Sequence, residues 1–267
     1  MSGLHLYWRY LVNGLRGQML YPTAFLLRLV TQFLITLVEF GGLYALFARF
    51  NHIRGWHFPE IALFYGVVSI SFALVDMSAR GFELFGPQFV KTGDFDRVLL
   101  RPRTAALQLA GFEFGFTTLG RVAQGLFALT IAILLLPLHW DAARIALLLW
   151  ALTGGVALFW GILILQATLS FWTIESLEIV NTITYGGVEA GQYPLDIYAG
   201  WFRRFLIFVV PIGCVTYFPV ASILGRTDMA GVPAWLGAVS PLAGFLFLSL
   251  AFAAWRQGVR HYTSTGS

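Results

Sequence analysis

One cysteine, Cys214, stands in 267 residues, which excludes an intrachain disulfide and any metal site built on a cysteine pair. Charge is equally scarce. Charged side chains make up 11% of the chain, against about 25% in ordinary soluble proteins, and Lys91 is the only lysine among the 17 basic residues. No G-x-x-x-x-G-K-[ST] occurs and Lys91 follows no glycine, so there is no phosphate-cradling loop. Any nucleotide hydrolysis therefore belongs to another chain. The five histidines (His5, His52, His57, His139, His261) are scattered, with no H-E-x-x-H and no G-x-S-x-G. Neither catalytic residues nor metal ligands are assigned. Short alternating segments are missing too, which argues against a β-barrel. No repeat, low-complexity tract or interdomain linker breaks the chain.

Apolar residues fill the space that charge leaves. They are 58% of the chain, and the mean hydropathy of +0.75 exceeds what a core of this size could hide, so lipid must solvate the surplus. The fold class expected is an all-α integral membrane protein with six transmembrane helices, one transmembrane domain over 1–267 and no nucleotide-binding domain. Six spans of about 20 residues leave little chain for anything else. They are expected near Pro22–Phe47, Phe58–Met77, Thr117–Leu136, Ala143–Leu169, Phe205–Leu224 and Trp235–Ala254. In the fourth, Gly154, Gly155 and Gly161 allow close helix packing.

The net charge of +4 then bears on topology and not on nucleic acid. With both termini in the cytoplasm, 11 basic residues fall in cytoplasmic segments and 4 in outer ones, as the positive-inside rule favours. Residues 1–20 carry Leu4, Trp8, Leu11, Leu15 and Met19 at helical spacing, with His5, Arg9, Asn13 and Arg16 on another face. This pattern predicts an interfacial helix lying on membrane lipid. The same polar residues make a cleavable signal peptide an unsuitable reading.

The densest polar segment, Lys91–Arg103, lies between two apolar runs and reads as a short amphipathic helix presented to a partner. Asp94 suits its start, and Arg101 and Arg103 its end, where the helix dipole favours cations. Phe95, Val98 and Leu99 supply apolar contact, with Phe95 expected as the anchor because aromatic residues dominate interface energetics. At membrane depth, Glu39 is read either as part of a cation-friendly path or as a side chain reaching the interface. Arg121, at the edge of the third span, is a second path candidate. Glu175 and Glu178 share a face if their segment is helical, and suit a contact with a partner better than catalysis.

Several phrases of the chain carry a resemblance. They are Gly93-Asp94-Phe95-Asp96-Arg97-Val98-Leu99-Leu100-Arg101-Pro102, Phe171-Trp172 before Glu175-Ser176-Leu177-Glu178, Gln192-Tyr193-Pro194, Pro211 and Tyr217-Phe218-Pro219. In this order they resemble the permease subunit of bacterial type-2 ABC exporters, in a six-span branch. The resemblance implies that 86–103 is a cytoplasmic coupling region. In it Gly93, Asp94, Phe95, Asp96, Arg97, Leu99, Leu100 and Arg101 dock onto a separate ABC ATPase subunit, which binds ATP and Mg, while this chain holds no cofactor of its own. Glu175 and Glu178 would touch the same ATPase side. It also implies a second six-span permease, the same chain or a related one, residence in the bacterial inner membrane, and export of a small hydrophobic or cationic toxicant. Re-entrant helices belong between the last two spans of such exporters, which leaves Pro219–Leu224 either a span end or a re-entrant turn. An ATP-independent ion-coupled carrier and a membrane-embedded lipid-modifying enzyme are the alternatives.

Overall fold

The computed structural model describes residues 3–173, 177–226 and 233–263. Helix α1 (Gly3–Gln18) leads through a short turn into α2 (Pro22–Phe50), whose proline opens the first turn where no amide partner is needed. A two-residue hairpin, β1 (His52–Ile53) and β2 (Trp56–His57), turns through Arg54 and Gly55, both at positive φ. That is the backbone a two-residue hairpin demands. Helix α3 (Phe58–Glu83) follows, with the Glu60 carboxylate accepting the His57 amide at 2.8 Å. Beyond a π-helical turn at Gly86–Val90 come α4 (Phe95–Leu99) and α5 (Ala105–Ala110). Helices α6 (Leu119–Leu135) and α7 (Ala142–Leu169) are long and apolar, and the Asp141 side chain caps α7 by accepting the Arg144 amide at 2.8 Å. The rest of the chain forms α8 (Leu177–Gly191), α9 (Gly200–Phe208), α10 (Ile212–Val215), α11 (Tyr217–Ile223), α12 (Ala234–Val239) and α13 (Leu242–His261).

Helix α3 is the axis of the bundle. It packs along α6 and α7, and α7 in turn packs along α13. Glycine sets the closeness of these contacts. A methyl group on Gly244 of α13 would collide with the Gly154 carbonyl of α7. One on Gly161 would lie 2.7 Å from the Phe247 ring, and one on Gly155 would lie 2.6 Å from the Ser71 hydroxyl. Gly154, Gly155 and Gly161 are therefore packing residues.

The two ends of the bundle are distinct. One carries the β1–β2 hairpin and the other carries α4. Helix α1 lies at the α4 end, where the Tyr7 hydroxyl donates to the Ser78 carbonyl (3.4 Å) and the Gln18 amide to the Phe114 carbonyl (3.0 Å). Tyr262, after α13, meets Phe95 at the same end. Among the described residues, five helices are long and apolar enough to cross a membrane: Pro22–Phe50, Phe58–Val90, Phe116–Leu135, Ala142–Leu169 and Trp235–His261.

The sixth crossing differs from the expected one. The segment expected to span from Phe205 to Leu224 is broken, with Gly200–Phe208 and Ile212–Ile223 meeting at 71° beside Pro211. Both of its flanks lie at the hairpin end. Before it, Asp196 accepts Trp56 Nε1 at 2.9 and 3.1 Å; after it, Arg226 pairs with Glu60 at 2.7 Å. A segment that enters and leaves at one end is re-entrant. Helix α8 makes the crossing instead. Phe171, just before it, packs on Phe95 at the α4 end, and Asp196, just after it, lies at the hairpin end. Arg203 and Arg204 of α9 consequently move to the hairpin side, and the basic bias narrows from 11 against 4 to nine against six.

Two measurements follow from this packing. Gly244→Leu should destabilise the protein by about 1–3 kcal/mol or more, because the helices cannot separate without losing their contact. Thermal unfolding in detergent should show the loss, whereas Gly17→Ala, with open space around it, should show none. In a Cys214→Ala background, cysteines at His52, Ala199 and Pro233 should all react with a membrane-impermeant maleimide from one side, and a cysteine at Thr104 from the other. Opposite labelling of 199 and 233 would restore a spanning segment between them.

Candidate functional site

The Lys91–Arg103 block folds as a helix of only five residues, α4, too short to persist alone in water. Its shape is imposed from both ends and from beneath. Gly93, at φ 74°, turns the chain out of the π-helical turn in a conformation that suits glycine. The Thr92 hydroxyl donates to the Gln88 carbonyl at 2.7 Å and lies 3.1 Å from Asp94 Oδ2. At the far end, Gln108 of α5 donates to the Val98 carbonyl (2.9 Å) and the Arg103 carbonyl (3.1 Å), satisfying acceptors that the helix end leaves open.

Beneath α4 lies an aromatic junction. The Phe95 ring centroid is 4.9 Å from Phe85, 5.5 Å from Phe171 and 5.0 Å from Tyr262. Trp255 closes the group at 5.1 Å from Phe85 and 5.3 Å from Phe171. Most of these contacts are edge-to-face, the arrangement that ring quadrupoles favour. They join α4 to the end of α3, the end of α7 and the end of α13. Burial, with a smaller contribution from the Asp96 carboxylate, pushes the Tyr262 phenol above its usual pKa, so the hydroxyl stays neutral beside Asp96.

This geometry corrects one expectation. Phe95 was read as the apolar anchor offered to a partner, but its exposure is 0% and its ring is spent inside the chain. Val98 is buried with it. The outward surface consists of Leu100 (85% exposed), Leu99 (43%) and the charged groups Arg97 and Arg101. Arg97 reaches back to Asp94 at 3.0 Å, a pair open to solvent. Asp96 is half-buried, toward Tyr262. Beside α4 a cleft of about 500 Å³ runs between Pro87, Phe89, Arg97, Arg101, Gln108 and Phe112. Of the two other residues expected on this side, Glu175 lies outside the described residues. Glu178 stands in the first turn of α8, near the α4 end.

The second constellation lies at membrane depth. Glu39 of α2 and Arg121 of α6, singled out separately in the sequence, line one cavity of about 230 Å³. Thr36, Tyr65, Ser69, Phe72, Tyr185, Val188, Glu189 and Gln192 complete it. Arg121 is partnered by Asp76 at 3.9 Å and sits 5.6 Å from the centre of the Phe72 ring. Asp76 also faces Arg80 at 3.9 Å, and Arg80 binds Glu113 at 3.1 Å. Tyr185 donates to Glu83 at 3.1 Å. The cavity therefore offers two carboxylates, Glu39 and Glu189, against one guanidinium already shared with Asp76.

Sequence reasoning missed Glu189 and Tyr185 because it missed α8. Glu60, in the first turn of α3, and Arg226, just after α11, are far apart in sequence. They meet in a closed cluster in which Arg226 lies 4.7 Å over the Trp56 ring and donates to the Gly55 carbonyl at 2.8 Å. The useful signal was Gln192-Tyr193-Pro194, a helix-ending phrase that fits a span ending at Gly191.

A family model described as ABC-2 family transporter protein matches residues 33–266, from the middle of α2 through the whole bundle. Searches of curated proteins and of solved structures find no match. The match covers every crossing but the first half of α2, and it agrees with a multi-pass helical protein without a nucleotide-binding loop. The chain belongs to the ABC-2 family of transporters and is a transmembrane permease subunit.

Proposed function

We propose that this chain is one transmembrane half of an ATP-driven exporter in a bacterial cytoplasmic membrane. It pairs with a second six-span permease and is driven by a separate ATPase subunit that docks on α4. Both termini and α4 then face the cytoplasm. The observation that carries this reading is the two-sided construction of α4. Its inner face is tied through Phe95 to the ends of α3, α7 and α13, while Leu100, Leu99, Arg97 and Arg101 are left outward. A body pressed against the outer face moves three crossings together. Apolar Leu99 and Leu100 offer contact area, and the Asp94–Arg97 pair and Arg101 set register. Glu178, at the same end on α8, belongs to this docking side.

The cavity between α2, α3, α6 and α8 is the corresponding path element. Helix α2 is largely uncovered in the single chain, with 11% of its apolar window buried, and both Glu39 and Glu189 open outward. Carboxylates at this depth need a counter-charge or water. A second permease half against this side encloses them, and an organic cation with apolar bulk suits their charge and the walls of Phe72, Tyr65 and Tyr185.

Two outcomes test the reading. In detergent or nanodiscs with the cognate ATPase, Leu100→Asp should abolish complex formation and stimulated hydrolysis while the permease keeps its melting temperature. Phe95→Ala should instead destabilise the permease itself by about 3–5 kcal/mol, the range for emptying a buried aromatic site. If Leu100→Asp couples normally, α4 is not the docking element. In reconstituted vesicles, Glu39→Gln and Glu189→Gln should each slow efflux of a cationic dye at least about ten-fold, equivalent to about 1.4 kcal/mol, and spare a neutral one. Efflux that persists without ATP and follows a proton gradient would favour an ion-coupled carrier.

A further inference from the structure

A separate groove runs along the last two turns of α13 where it passes α4 and α5. It measures about 470 Å³. Its walls are Leu99, Ala105, Ala106, Phe252 and Val259, so nearly all of its surface is carbon. Two arginines, Arg256 and Arg260, also line it, one turn apart on the same helix face. From Phe252 to Arg260 the helix rises about 12 Å. Both arginines lie nearer the end of this membrane-crossing helix than Phe252 does, so the groove carries its cationic groups on the side of the bilayer surface and Phe252 on the side of the bilayer.

The two arginines differ from those that the fold holds in ion pairs. Arg80, Arg97, Arg121 and Arg226 each face a carboxylate. Among the described residues, neither Arg256 nor Arg260 has one within ion-pair distance. Guanidinium groups bind phosphate oxygens through paired, charge-assisted hydrogen bonds. An occupant that places carbon against Phe252 and Ala106 and an anionic phosphate between two arginines is an amphiphile, aligned as the bilayer aligns it.

We propose that this groove binds one membrane phospholipid with an anionic headgroup, taken from the leaflet at the α4 end. The acyl chain lies between α13 and α5, the phosphate is held by Arg256 and Arg260, and the bound lipid lines the flank of Leu99. The site is distinct from the cavity at Glu39 and from the outward face of Leu100, and its occupancy does not require an ATPase.

The test is native mass spectrometry of the full chain released from nanodiscs made of equal parts phosphatidylglycerol and phosphatidylcholine. The expected result is one phosphatidylglycerol retained per chain. Replacing both Arg256→Gln and Arg260→Gln should cut retention at least about ten-fold, as two surface arginines contribute to anionic-lipid binding. Ala106→Phe should do the same with both arginines intact, by filling the trough; it also guards against a double variant that fails to fold. Arg16→Gln, a basic residue of α1 at the same end, should leave retention unchanged, and millimolar inorganic phosphate should not displace the lipid. The proposal is overturned if the double variant retains lipid as the parent does, or if phosphatidylcholine is held equally. It is also overturned if Arg16→Gln is as damaging, or if free phosphate competes. None of these readings involves ATP hydrolysis, so they stand apart from the fate of the α4 docking proposal.

Discussion

The contact on which the α4 end depends is the packing of the Phe95 ring among Phe85, Phe171, Trp255 and Tyr262, mostly edge-to-face. A five-residue helix has little stability of its own, since its ends leave more backbone groups open than its interior closes. Its form comes from the aromatic floor and from the Gln108 side chain that closes its last carbonyls. Because the floor is made of residues from three other helices, displacing α4 displaces them. Removing the ring would free α4 from the bundle without touching its outer surface.

The hairpin end has a lock of different chemistry. Arg226 binds Glu60 and the Gly55 carbonyl and covers the Trp56 ring, while Trp56 and Arg54 hold Asp196. The cluster joins the start of α3, the hairpin, the exit of α8 and the exit of the re-entrant segment. Charge is tolerated there because every group in it is answered by another, a condition that a half-buried ion pair must meet to be neutral or better. Between the two ends, contact is made by glycine and small side chains, as at Gly244 against Gly154. Aromatic packing thus holds one end, an ion-pair cluster the other, and close backbone approach the middle.

Much of this was legible in the sequence, for a physical reason. Lipid forces long apolar helices with few charges, so composition gave the class and five of the crossings to within several residues. Helix α8 was hidden because Glu178, Glu189 and the Gly186-Gly187 pair dilute its hydropathy, whereas Phe205–Leu224 is richer in carbon and drew the assignment. Re-entry depends on Pro211 and on where Asp196 and Arg226 find partners, and those partners are distant in sequence. The inward turn of Phe95 was illegible for a similar reason. Helical periodicity marks an apolar face, but it does not say whether the chain's own bundle or another protein covers it. By contrast, Glu39 and Arg121 were singled out from depth alone, and the fold brings both to one cavity.

The exchange of one crossing for another changes what the charges mean. With α8 as a crossing, Glu189 enters the membrane beside Glu39, and a solitary carboxylate becomes one of two. A lone carboxylate at this depth can reach the interface and be silent. Two carboxylates lining one cavity repel, and the repulsion falls only if a cation, a proton or water lies between them. Arg121 answers part of that charge but is already shared with Asp76. The cavity is therefore left with an acidic excess on the side where α2 is uncovered, and whatever covers that side must leave a cation, a proton or water between the two carboxylates.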